Sequence, residues 1–274
     1  MATRSFRAKH ETVYGSKEFC ERYDAELCSR QDWQGNLLKL LQRIVPRAFV
    51  PARARSAADV GAGTGKLARL LAPHMTYVVA TDRSAEAIDV AQTAVGRACA
   101  TCQYSFHVAD LRSLPIADES VDLVVVGWAV SYLKSDHEEW NHADGTSSGP
   151  WREEVDAALA EFERICRPGG TVVILETHGT AVYKPQRLGS WLYAYLRQAG
   201  LQEALVRTDY LFPNKRDALE TLRFFFGKGV ANRARALLAE VDDDDTGLPC
   251  IVPEFTGVWW RSKADGCTHA SDGD

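Results

Sequence analysis

The stretch SAADVGAGTGKLARLLA, Ser56 to Ala72, decides how this chain is read. Small apolar residues lead into a glycine-rich turn, and the turn into helical spacing of Leu67, Leu70 and Leu71. Gly61, Gly63 and Gly65 remove three Cβ atoms from one bend. Such a bend can take positive φ angles or let a ligand approach bare backbone. A strand, a glycine turn and a helix N-terminus in that order form a nucleotide-site geometry. A phosphate-binding loop, GxxxxGK followed by Ser or Thr, is excluded, because Val60 stands at its first glycine and Leu67 follows Lys66. A dinucleotide fingerprint, GxGxxG, fits at Gly61 and Gly63 and fails at Lys66. What remains is an acid, Asp59, two residues before a Gly-x-Gly-x-Gly run.

Outward from the turn, short apolar strands alternate with amphipathic helices. TYVVAT is a strand ending at Asp82, and SAEAIDVAQTAV is a helix with Ser84 as N-cap. CQYSFHVA is a strand ending at Asp110, and SVDLVVVGWAV is a continuous apolar strand. WREEVDAALAEFERICRPGG reads as a helix closed by Pro168-Gly169-Gly170, followed by the strand TVVILET. This alternation predicts a mostly parallel, doubly wound sheet covered on both faces. Upstream, Phe19, Tyr23 and Leu27 have helical spacing, and a second amphipathic helix ends before Pro46. Downstream, GSWLYAYLRQAG is a helix and EALVRTDYLF one strand; a helical segment breaks near Gly227, and CIVPEFTGVWW is a last, antiparallel strand.

The chain has 274 residues, 46% of them hydrophobic, and a net charge of −5. That suits one large α/β domain and disfavours nucleic acid as the main partner, since Lys and Arg form no basic stripe. No apolar run is long enough to span a membrane. The opening MATRSFRAKHETVYG lacks the apolar core of a secretory signal, with a transit peptide as the alternative. Seven scattered cysteines, an odd number, argue for free thiols in a reducing compartment, and a cytoplasmic location is expected. Cys99 and Cys102 have CxxC spacing without a second pair, so they read as structural. Asp136, His137, Glu138, His142 and Asp144 share one loop but match no metal spacing, and DDDD at 242–245 lacks the alternation of a calcium loop; no metal is expected.

Four spaced motifs between Ser56 and Thr177 resemble class I S-adenosylmethionine-dependent methyltransferases: DVGAGTG, VVATDRS, HVADLRSLPIADESVDLVVV and RICRPGGTVVILET. The resemblance implies a Rossmann-like seven-stranded sheet with an antiparallel last strand, and S-adenosyl-L-methionine as cofactor. Residues 1–50 would form an N-terminal helical lid and 51–263 the core, with a helical insertion at 214–240 and a disordered tail at 264–274. Carried over by position, Asp59, Gly61, Ala62, Gly63 and Gly65 form the turn that holds the cofactor's amino-acid and ribose end. Asp82, 21 residues after Gly61, would grip the ribose, with Arg83 along the adenine. Asp110 would take the adenine amino group and Leu111 offer its backbone N–H, while Asp122 reads as structural. Gly127 and Trp128 correspond to the segment flanking the methyl group, and Tyr14 in the lid would close over the cofactor.

Methyl transfer from a sulfonium requires positioning above all, and a base only when the acceptor carries a proton at attack. No catalytic residue is therefore declared. His178 and Tyr132 are the candidates, their plain alternatives being a solvated loop histidine and a core aromatic. Glu254 and Trp260 come from the last strand, with packing as the default for Trp260. A small molecule with an O or N acceptor is the expected substrate class, and the apolar content of the insertion, Leu219, Leu222 and Phe224 to Phe226, suits an apolar or aromatic ligand. The alternatives are a protein or RNA methyltransferase, or a catalytically silent cofactor-binding scaffold.

Overall fold

The computed structural model describes residues 15–49, 55–135, 149–240 and 248–265. Tyr14, the 136–144 loop acids and histidines, the 242–245 acids and all but the first two residues of the 264–274 tail lie outside the described residues. The chain opens with α1 (Lys17–Tyr23), prolonged by a π turn Asp24–Cys28, and α2 (Asn36–Ile44). Then come β1 (Ser56–Val60), α3 (Lys66–Leu71), β2 (Tyr77–Asp82), α4 (Ala85–Val95), β3 (Gln103–Val108), β4 (Val121–Gly127), α5 (Val130–Ser135), α6 (Trp151–Ile165) and β5 (Cys166–Thr180). The chain continues through α7 (Trp191–Gln198), β6 (Gln202–Arg207), β7 (Tyr210–Phe212), α8 (Lys215–Leu237), β8 (Cys250–Val252) and β9 (Glu254–Ser262).

Seven strands form one sheet in the order β3-β2-β1-β4-β5-β9-β6, and only β9 runs antiparallel to its neighbours. This is the expected Rossmann-like architecture. The period-two alternation of buried strands divides the core into two layers. Ala58, Val60, Val124, Val126, Val172 and Ile174 face α6 and α7; Ala57, Leu123, Val125, Val173 and Leu175 face α2, α3 and the buried Ala91 and Val95 of α4. On α6 the buried residues Trp151, Val155, Ala158, Leu159, Phe162 and Ile165 follow one helical stripe. A satellite core joins Leu27 of the N-terminal segment to Tyr210, Phe212, Ala218, Leu222 and Val252.

Four local readings change. The strand predicted over SVDLVVVGWAV stops at Gly127: Trp128 takes φ +54 and α5 begins at Val130. Helix α6 stops at Ile165, short of the Pro-Gly-Gly turn, where Cys166 is already extended and pairs with Val121. Pro168 disfavours helical backbone at Arg167, which moves the end upstream. EALVRTDYLF is two strands in different sheets, broken at Thr208 and Asp209. CIVPEFTGVWW likewise splits at Pro253, which has no N–H for a ladder. Helix α8 is kinked at Gly227, with φ +82, where the break was expected.

Candidate functional site

The glycine turn lies beyond the C-terminal end of β1, beside the neighbouring ends of β2 and β4, where open α/β sheets bind ligands. Gly61, Gly63 and Gly65 all have positive φ, yet they serve different ends. A Cβ on Gly61 would lie 2.5 Å from Ala129 Cβ, and one on Gly65 2.5 Å from Val95 Cγ2. These two glycines allow close packing. Gly63 is different: a Cβ there meets nothing within 4 Å, and the residue lines the cavity. Gly65 is not among the lining residues, so its expected place in the site becomes a packing role against α4.

Two carboxylates fix the turn. Asp59 is fully buried; Ala68 N–H in α3 donates to its Oδ2 at 2.7 Å, and Oδ1 has no partner. Burial pushes this acid up to about 7. Asp82 ends β2 and receives two backbone donors: Gly63 N–H to Oδ2 at 2.8 Å and Ser84 N–H to Oδ1 at 2.9 Å. Burial raises its pKa, against these donors and the Arg83 charge. Ser84 caps α4 as predicted, accepting from Ala87 N–H at 3.0 Å.

Around this turn one cavity is lined by Asp59, Gly61, Ala62, Gly63, Asp82, Arg83, Asp110, Leu111, Gly127, Trp128 and Tyr132. The structure thus brings together the expected residues of four separate strand ends, apart from Gly65. The Arg83 guanidinium carbon lies 5.8 Å from the Tyr132 ring centroid. Asp110 is gripped by Arg112 through Nε and Nη2 at 2.7 and 2.6 Å, which holds its pKa below the ordinary carboxylate value. Asp122 lies away from the cavity; it accepts from Ser56 N–H and from Arg167, joining β4 to β1 and β5.

His178 is placed elsewhere. It is buried in β5, not solvated in a loop and not among the lining residues. Its Nδ1–H donates to Gln186 O at 2.7 Å, and its ring centroid is 4.8 Å from Tyr193 and 5.6 Å from Trp259. Burial lowers its pKa. A base role for His178 gains no support, because its ring is buried among Tyr193 and Trp259 and does not line the cavity. Glu254 is buried, accepts from Thr177 Oγ1 at 2.7 Å, and is pushed up to about 7 by burial, while Trp260 packs against the core. Phe224, Phe225 and Phe226 are not among the lining residues. Phe225 instead meets Phe19 and Tyr23 edge-on, with centroids 5.4 and 5.5 Å apart, and backs the N-terminal helix.

The N-terminal segment supplies the residues that sequence reasoning missed: Tyr23, Cys28 and Gln31 line the same cavity, joined by Lys66. Asp24 anchors the segment over the turn, pairing with Arg69 and accepting from Thr64 Oγ1 at 3.0 Å. Lys66 Nζ donates to Gln31 Oε1 at 2.6 Å and lies 5.6 Å from the Trp128 ring centroid. The helical spacing of Phe19, Tyr23 and Leu27 marked a buried stripe without saying what it covered. Among the described residues no group of three or more His, Cys, Asp or Glu side chains is placed to hold a metal. No described helix is long and apolar enough to cross a membrane.

A glycine turn, an acid ending the second strand, another just past the third, and an antiparallel strand beside β5 define a Rossmann-like fold of the nucleoside-binding type. Residues 58–174 match the methyltransferase domain family. A ubiquinone/menaquinone biosynthesis C-methyltransferase of Rubrivivax gelatinosus is 26% identical over 216 residues, covering 71% of this chain and 76% of that protein. An uncharacterized methyltransferase of Mycobacterium tuberculosis is 34% identical over 122 residues, 44% of this chain and 40% of that one. Haemonchus contortus phosphoethanolamine N-methyltransferase 2, solved with S-adenosyl-L-methionine, shares the fold at TM-score 0.53 and 16% identity, over 96% of this chain and 61% of that one. Residues 58–174 form a class I S-adenosylmethionine-dependent methyltransferase domain, and S-adenosylmethionine is its cofactor.

Proposed function

We propose that the cavity holds S-adenosylmethionine along the Gly61–Gly63 turn, Asp82 and the Asp110–Leu111 segment, and that a small-molecule O or N acceptor enters beneath the N-terminal helix. One observation carries this reading: a single cavity runs from Asp82 and Asp110 past the bare backbone of Gly63 to Tyr23, Gln31, Lys66 and Trp128. Asp82 spends one lone pair of each oxygen on backbone N–H groups, and a carboxylate oxygen can accept more than one donor. It therefore retains acceptor capacity for two ribose hydroxyls. Gly63 leaves open space where any side chain would stand.

The bound cofactor supplies a methyl group on a sulfonium centre. The residues of this chain position and enclose. Trp128, held at positive φ by its N–H donating to Leu175 O at 2.7 Å, and Tyr132 wall the middle of the cavity. Tyr23 closes it from the N-terminal side. Such walls exclude water and hold an acceptor in line for displacement. Tyr132 is the remaining candidate for a direct role in proton handling, because it lines the cavity and His178 does not. The lid reading of residues 1–50 gains support from Tyr23 and Gln31, whereas helix α8 within 214–240 supports the lid from behind.

The test is calorimetry with S-adenosylhomocysteine and NAD, followed by a screen of small phenols, amines and carboxylic acids with methyl-labelled cofactor. S-adenosylhomocysteine binding without NAD binding, and label in an O- or N-methylated product, are expected. NAD binding alone would sink the cofactor placement; label only in protein or RNA would sink the acceptor class. The Rubrivivax relative, a C-methyltransferase by name, makes carbon the second acceptor atom to score.

A further inference from the structure

Lys66 stands one residue past the glycine turn and lines the cavity. An ammonium has three N–H donors. Both recorded acceptors belong to Gln31: Oε1 at 2.6 Å and the backbone O at 3.3 Å. No described carboxylate lies within ion-pair distance of Nζ. The two acids that act on it electrostatically, Asp32 and Glu254, are engaged elsewhere. Asp32 accepts from the N–H groups of Asn36 and Leu37, and Glu254 accepts from Thr177. Trp128 presents its ring to the cation, and Cys28 and Tyr23 complete the surroundings. Lys66 is partly buried, charges drawn out of water are ordinarily paired, and a lysine that a neutral amide alone holds lacks its counter-charge.

We propose that Lys66 is an anion-binding residue of this cavity, taking a carboxylate or similar anionic oxygen of a ligand held beneath the N-terminal helix. This rests on the cavity being the cofactor and acceptor site. Two sources carry that chemistry: the amino-acid end of the cofactor, or an acidic acceptor. Gln31 is the positioning residue, since it fixes Nζ against Trp128.

Burial also brings the Lys66 amine down to about 8, with Cys28, Asp32 and Glu254 opposing and Arg69 adding to the fall. The Cys28 thiol is itself pushed up by burial. The ammonium form, and with it anion affinity, is therefore present at pH 7 and lost as pH rises toward 9.5.

Calorimetry on the full chain separates the sources. The probes are S-adenosylhomocysteine, 5′-methylthioadenosine (the same nucleoside without the amino-acid end), and benzoate against benzyl alcohol in protein loaded with S-adenosylhomocysteine. If the cofactor supplies the anion, Lys66→Met weakens S-adenosylhomocysteine roughly tenfold or more and leaves 5′-methylthioadenosine unchanged. If the acceptor supplies it, S-adenosylhomocysteine is unchanged and the wild-type preference for benzoate disappears. Lys66→Arg, which keeps the charge, should restore part of either effect. Wild-type affinity should show the same loss between pH 7 and pH 9.5, and Lys66→Met, titrated with the same probes to subtract the ligand's own amino group, should show less of it. The proposal is overturned if Lys66→Met and pH both leave S-adenosylhomocysteine affinity unchanged and the wild type shows no preference for benzoate. Failure of the wild type to bind either nucleoside overturns the cofactor placement instead, and benzoate against benzyl alcohol on the unloaded protein then decides Lys66 by itself.

Discussion

Replacing Gly63 and Gly65 separately by alanine tests which part of the glycine turn faces a ligand. Both residues have left-handed backbone, φ +52 and +82, so each alanine carries a strain of about 1–2 kcal/mol. At Gly63 nothing further is added, because the new Cβ meets no atom within 4 Å. At Gly65 the Cβ lands 2.5 Å from Val95 Cγ2 and 3.2 Å from Ala91 Cβ. Overpacking of that kind adds about 1–3 kcal/mol. Gly65→Ala should therefore lose roughly twice the stability of Gly63→Ala. Binding should run the other way. The Gly63 methyl occupies cavity space beside Asp82, whose Oδ2 holds the Gly63 N–H. Affinity for S-adenosylhomocysteine should fall at least about tenfold in Gly63→Ala. In Gly65→Ala, measured below its melting range, affinity should stay near wild type. Thermal melting and calorimetry on the three proteins provide both numbers. Wild-type affinity in Gly63→Ala, or equal loss of stability in the two variants, would refute the division of the turn into a ligand glycine and a packing glycine.

Asp82→Asn keeps one acceptor oxygen for the two backbone donors, so it should lose about 1–3 kcal/mol of stability and roughly tenfold or more in S-adenosylhomocysteine affinity. An unchanged dissociation constant would place the ribose elsewhere. Glu254, an acid raised to about 7 in the folded chain, contributes stability that is complete below its unfolded pKa of about 4.5 and is lost as pH rises through 7. Glu254→Gln lacks that loss, so its melting temperature relative to wild type should climb between pH 5 and pH 8, by up to the equivalent of about 3 kcal/mol. A difference independent of pH would show that Glu254 titrates normally. Phe225→Ala removes edge-on contacts to Phe19 and Tyr23 and should lower stability by about 1–3 kcal/mol, while Phe224→Ala, at a half-exposed ring that meets Phe19 but not Tyr23, should lower it by less. Equal effects would mean that Phe225 does not brace the N-terminal helix.

The sequence by itself determined the sheet, the turn and the acids at the strand ends. Those features rest on neighbours in the chain: period-two apolar runs such as Leu123 to Val126, a serine cap at Ser84, and glycines in one bend. The acids Asp82 and Asp110 were legible because a strand end fixes where its next residue emerges. Only the tertiary structure decided which glycine faces the cavity and which packs, since Gly63 and Gly65 differ in what lies across from them, Val95 being thirty residues away. Tertiary contacts also set His178 apart from the cavity lining, because the register shift of β5 between Thr177 and Gly179 places it in a stack with Tyr193 and Trp259. Phe224 to Phe226 fall outside the cavity lining for a similar reason: α8 packs against α1, so Phe224 and Phe225 meet Phe19, Phe225 also meets Tyr23, and Phe226 meets Tyr210. Lys66 was visible only as the residue that broke the dinucleotide fingerprint and as the lysine of a phosphate loop that failed at Val60 and Leu67. Its place beside Gln31 and Trp128 depends on the N-terminal segment folding back over the turn, held by the Asp24–Arg69 pair. Local periodicity records which face of an element is buried; it does not record what is packed against that face.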